Sequence, residues 1–128
     1  MELFSIVLKL LVPAFLAVGV LHLWLGVRAD VLLGAKLAPE ALADPALDSQ
    51  NRFYGVAYGC YGILLYVCAT DIGRYAVILD CVLFATFAGG LARMVSMGTH
   101  GRPPPLILVL LASELLLPPA LAGWARLL

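Results

Sequence analysis

The chain has 128 residues, of which 63% are hydrophobic and 12% charged, and its eight basic and eight acidic residues cancel to a formal net charge of 0. Soluble proteins carry about 25% charged residues, so this composition, with a mean hydropathy of +1.03, excludes an ordinary water-soluble domain and points to one integral membrane domain over residues 1–128. The charge balance, with pI ≈ 6.7, also excludes the basic footprint expected of a nucleic-acid partner.

A membrane helix needs ~20 apolar residues to cross ~30 Å of hydrocarbon. On that criterion the hydropathy pattern predicts four spans, at about residues 3–27, 51–69, 75–97 and 106–127. The first resembles a signal peptide near Val27-Arg28-Ala29. However, Glu2 stands where a positive n-region belongs, and the apolar run exceeds the usual ~7 to 15 residues, so it reads as a retained helix. Pro13 is expected to bend it. His22 and Trp24 lie at its end.

Residues 28–49 mix Val31, Leu32, Leu33, Leu37, Leu42 and Leu47 with Asp30, Lys36, Glu40, Asp44 and Asp48. This alternation, interrupted by Pro39 and Pro45, predicts an amphipathic segment on the membrane surface, placed to lid whatever opens there. The second span carries a polar aromatic stripe at helical spacing, Asn51, Tyr54, Tyr58 and Tyr61. Beside it, Gly55, Gly59 and Gly62 form a small-residue groove for close helix packing. Thr70 to Arg74 is read as a tight turn.

The third span contains Asp80, a second small-residue face (Ala85, Gly89 and Gly90), then Arg93 and Ser96. Residues 98–105, Gly-Thr-His-Gly-Arg-Pro-Pro-Pro, are expected to stop it and to start the fourth span through proline in the first turn. That last span holds Glu114.

Four crossings put both termini on one side and loops one and three on the other. Basic residues near those loops (Arg28, Lys36, Arg52, Arg93, Arg102) outnumber those on the termini side (Lys9, Arg74, Arg126), so the positive-inside rule favours cytoplasmic loops. The expected fold is therefore an all-α, antiparallel four-helix transmembrane bundle.

Antiparallel topology converts sequence position into depth. His22, Asn51, Arg52, Tyr54, Arg93, Ser96 and Glu114 all fall in the membrane half beside loops one and three. At 1.5 Å per residue, Arg93 lies ~7 Å inside the end of its helix and Glu114 ~12 Å inside the start of the next, so a charge pair across that hairpin is expected. An unpaired charge near the bilayer centre costs ~2.5 to 3.5 kcal/mol, and an Arg fork holding a carboxylate is the cheapest remedy. Lys9 and Asp80 lie in the other half, either paired as a structural clamp or with Lys9 snorkelling to the surface.

The three cysteines, Cys60, Cys68 and Cys81, lack C-x-x-C spacing, so neither a disulfide framework nor a thiol redox centre is expected. No H-x-x-x-H or E-x-x-H spacing supports a metal site, and no P-loop or Ser-His-Asp arrangement is present.

Asn51-Arg52-Phe53 before a glycine-rich helix, Arg93-x-x-Ser96, Gly101-Arg102-Pro103 and the mid-helix Glu114 resemble the bacterial domain-of-unknown-function family 4345, over roughly residues 50–117. The resemblance implies a small four-helix protein of the bacterial inner membrane with the Arg, Ser, Gly-Pro and Glu positions as recurring polar marks, and it implies no activity. His100 departs from the family pattern, in which an acidic residue often precedes the loop glycine.

The functional expectation is an intramembrane pocket of Asn51, Arg52, Tyr54, Tyr58, Arg93, Ser96 and Glu114 that binds a lipid-like or amphipathic ligand without a cofactor. Arg52 and Arg93 would hold an anionic head and Glu114 would orient Arg93. Membrane lipids are the expected partners, with a homo-oligomer or a larger complex docked on the Gly55, Gly59 and Gly62 groove as alternatives. A proton-coupled transporter using Glu114 or His22 as proton carrier is the other class, and an acid–base enzyme on the same residues is the less favoured one.

Overall fold

A computed structural model describes all 128 residues. It contains six helices and no strand: α1 (Glu2–Leu25), α2 (Arg28–Leu32), α3 (Pro39–Leu42), α4 (Pro45–Thr70), α5 (Ala76–His100) and α6 (Pro105–Leu127). Four of them, α1, α4, α5 and α6, are long and apolar enough to cross a membrane. Only 21 residues are buried, while Phe53, Val77, Phe84 and Leu116 are each about 70% exposed. Such an apolar exterior is costly in water but suits contact with lipid. The protein is a multi-pass membrane bundle.

Two boundaries differ from the expectation. The second span begins at Pro45, six residues before Asn51, because Asp44 caps it by accepting from the Ala46 and Leu47 amides (2.8 and 3.2 Å) and Pro45 occupies a position whose amide needs no partner. The third span runs through Gly98 to His100 and stops at Gly101, whose φ of 90° is open to glycine alone at no steric cost. The surface segment between α1 and α4 takes the form of two short helices, α2 and α3.

Helices α1 and α4 pack closely through glycine. A methyl group on Gly19 would stand 2.7 Å from the Gly55 carbonyl oxygen, and one on Gly55 would stand 2.8 Å from the Gly19 oxygen. Gly62 meets the Phe15 side chain in the same seam. The groove of Gly55 and Gly62 is therefore filled by the protein's own first helix, not open to another chain. A methyl on Gly59 would meet nothing within 4 Å. On α5 the packing glycine is Gly90, set against Glu114 and Leu115, whereas Gly89 is exposed.

The close-packed core occupies the termini half of the bundle. Phe4, Leu8, Leu65, Cys68, Leu79, Val82 and Leu121 interlock there, Phe4 meets the Trp124 ring edge-on at 5.1 Å, and Ser5 donates to the Ala69 carbonyl across α1 and α4. The loop half holds the ion pairs His22–Asp30, Arg52–Asp48 and Arg93–Glu114.

Candidate functional site

Glu114 sits on α6 with 4% of its surface exposed. One carboxylate oxygen accepts from the Tyr58 hydroxyl at 2.5 Å and the other from Nε of Arg93 at 2.8 Å. Gly90 makes this possible, since its missing side chain lets α5 lie against the Glu114 Cβ. Tyr58 is steered in turn by stacking on Phe15, with ring centroids 5.2 Å apart and planes 25° apart. Three helices thus deliver one phenol, one guanidinium and one carboxylate to a single point, and no buried side-chain nitrogen or oxygen lacks a partner.

Arg93 reaches Glu114 only through Nε. Both terminal nitrogens of its guanidinium therefore keep their N–H groups, and the side chain is 36% exposed. The carboxylate fixes the fork through that one bond.

Beneath this trio lies a cavity of about 180 Å³ bounded by 15 residues, 11 of them hydrophobic. Its walls come from α1 (Leu11, Ala14, Phe15, Val18), α4 (Tyr58, Leu65), α5 (Val82, Leu83, Thr86) and α6, which contributes Leu110, Ser113, Glu114, Leu117, Pro118 and Leu121. Ala14 on α1 and Leu117 on α6 are both wall and exposed surface, so the cavity reaches the outside of the bundle beside them. The Thr86 and Ser113 hydroxyls donate to carbonyls of their own helices, Val82 and Leu110, and keep lone pairs as acceptors. Proline at 118 removes the amide that would pair with the Glu114 carbonyl, which frees a further acceptor on the same helix.

Of the seven residues expected to form the pocket, the structure brings three together: Tyr58, Arg93 and Glu114. Arg52 is committed elsewhere. Its Nε bonds Asp48 at 2.7 Å, and Nη1 bonds the Leu23 and Trp24 carbonyls at 2.6 and 3.1 Å, so it closes the C-terminal end of α1. Asn51 donates to Leu47 on its own helix. Tyr54 is 58% exposed, because at its level α4 packs on α1 through Gly55 and no helix covers the flank that carries the phenol. Ser96 is exposed one turn beyond Arg93 and makes no side-chain hydrogen bond.

His22 is buried and outside the trio. Nδ1 bonds the Val18 carbonyl at 2.8 Å and Nε2 the Asp30 carboxylate at 3.1 Å, which pins α2 to the end of α1. Lys9 and Asp80 do not pair; the chain's ion pairs are His22–Asp30, Arg52–Asp48 and Arg93–Glu114. Sequence reasoning missed Phe15, Thr86, Ser113 and Pro118. Only Pro118-Pro119 left a visible signal, as two prolines inside an apolar span.

Comparison with known families matches residues 3–125 to the family described as Domain of unknown function (DUF4345). No curated protein and no solved structure matches the chain. The chain belongs to that family, and the match reaches almost from end to end.

Proposed function

We propose that this protein holds an amphipathic, lipid-like molecule inside the bilayer, with an apolar portion in the cavity between α1 and α6 and a polar group against the Tyr58–Glu114–Arg93 trio. The observation that carries the reading is a mostly apolar cavity whose lining includes Tyr58 and the buried Glu114, with Arg93 bonded to the far oxygen of that carboxylate. A dry apolar cavity of about 150 Å³ accepts a molecule the size of benzene, so 180 Å³ suits a ring or a short length of chain, not a whole lipid. The remainder would extend through the side opening into the membrane. Arg52 takes no part, since Asp48 and the end of α1 occupy it.

The basic residues near loops one and three favour a bacterial cytoplasmic membrane with those loops in the cytoplasm. Membrane lipids would be the source of the ligand.

The test is extraction in polymer nanodiscs that retain native lipid, followed by mass spectrometry of what the purified protein releases. Wild type is expected to yield one amphiphile in near-stoichiometric amount. Ala14→Trp, which blocks the side opening and leaves the trio intact, should reduce the yield at least tenfold. An unselective lipid mixture in both proteins would refute the proposal.

A further inference from the structure

A second recess lies between α5 and α6 on the side of the chain termini. Its volume is ≈ 330 Å³, and Asp80, Phe84, Phe87, Pro119, Ala122 and Arg126 are among the residues lining it. Leu83 and Pro118 border both this recess and the central cavity, so they form the wall between the two.

Two opposite charges face into this recess without touching. Asp80 and Arg126 are exposed, and neither takes part in any of the chain's ion pairs. The antiparallel register puts them at one depth. Gly90 lies against Glu114 and Leu115, so ten residues down α5 is Asp80 and ten residues along α6 is Trp124–Ala125, next to Arg126. Both charges therefore stand in the same interfacial layer, side by side in the membrane plane. Toward the bilayer centre the recess continues over Phe84, Phe87 and Pro119, about 10 Å deeper at 1.5 Å per residue.

A carboxylate and a guanidinium on a lipid-facing surface need partners of opposite charge. We propose that this groove is a lipid site selective for a zwitterionic headgroup with a primary ammonium, the phosphatidylethanolamine class. Arg126 takes the phosphate, Asp80 takes the ammonium through its N–H donors, and one acyl chain lies along Phe84, Phe87 and Pro119. A choline headgroup has no N–H to give Asp80. A purely anionic headgroup satisfies Arg126 but sets negative charge beside the carboxylate. This site is independent of the central cavity and stands or falls by itself.

Native mass spectrometry of delipidated protein in detergent, titrated with phosphatidylethanolamine, phosphatidylcholine and phosphatidylglycerol of identical chains, tests the assignment. A charge-assisted hydrogen bond corresponds to about tenfold in affinity, so wild type should prefer phosphatidylethanolamine over phosphatidylcholine by about that factor. Asp80→Asn should erase the preference while phosphatidylcholine binding stays as in wild type, which also shows that the variant is folded. Arg126→Gln should weaken all three lipids alike. Equal binding of the three lipids by wild type overturns the proposal, as does a preference that survives Asp80→Asn, or a dimer that takes up no lipid at this groove. Repeating the titration with Ala14→Trp separates this binding from that of the central cavity.

Discussion

Glu114 divides its two oxygens between a phenol and a guanidinium, and the two partners are not equivalent. Removing Arg93 strands a buried carboxylate, whereas removing the carboxylate leaves an arginine that is 36% exposed and can turn to water or a headgroup. Arg93→Gln is accordingly expected to cost about 3–5 kcal/mol, and Glu114→Gln only about 1–2 kcal/mol. Thermal unfolding of both variants in the same detergent checks the order; equal losses would mean that the pair is not buried as described. The Arg93–Glu114 contact is legible in the sequence, because antiparallel hairpins turn distance from a loop into depth. Arg52, expected to hold a ligand head, bonds Asp48 and the end of α1. The signal for the Asp48 contact is local: Asp48 stands four residues before Arg52, the spacing at which helical side chains meet.

At the scale of elements, α1 and α4 meet where neither has a side chain. Gly19→Ala and Gly55→Ala each drive a methyl to within 2.7–2.8 Å of the opposite backbone, so the helices must separate, at a cost of about 1–3 kcal/mol. Gly59→Ala meets nothing within 4 Å and should be neutral, or stabilise by up to about 1 kcal/mol through helix propensity. Denaturant titration in mixed micelles distinguishes them, and destabilisation by all three variants would contradict the close approach. The stripe of Gly55, Gly59 and Gly62 showed in the sequence that a helix comes close, but not which one. Gly19, alone in an otherwise bulky span, carried the answer without a pattern to mark it. The start of α4 was hidden for another reason: Pro45 reads as a breaker until Asp44 is recognised as the cap that makes it a first-turn residue.

For the whole molecule, the four spans follow from hydropathy and length, because lipid demands backbone hydrogen bonds closed within each helix. How the interior divides does not follow. The end nearest the termini is filled by Phe4, Leu8 and Leu79, while a cavity under Glu114 straddles the middle of the bundle, with Leu65, Val82, Leu83 and Leu121 of the core as part of its wall. No periodicity encodes that difference, since it depends on how far α1 and α6 stand apart at each level and on what Phe15, Thr86 and Ser113 fail to fill. The most direct measurement is solid-state NMR of isotope-labelled protein in native-lipid nanodiscs, reading what lies beside the Thr86 methyl group on the cavity wall. Cross-peaks from that methyl to the hydrocarbon protons of a retained amphiphile are predicted, and they should vanish in Ala14→Trp. Cross-peaks to water alone, or to nothing but neighbouring side chains, would contradict the account.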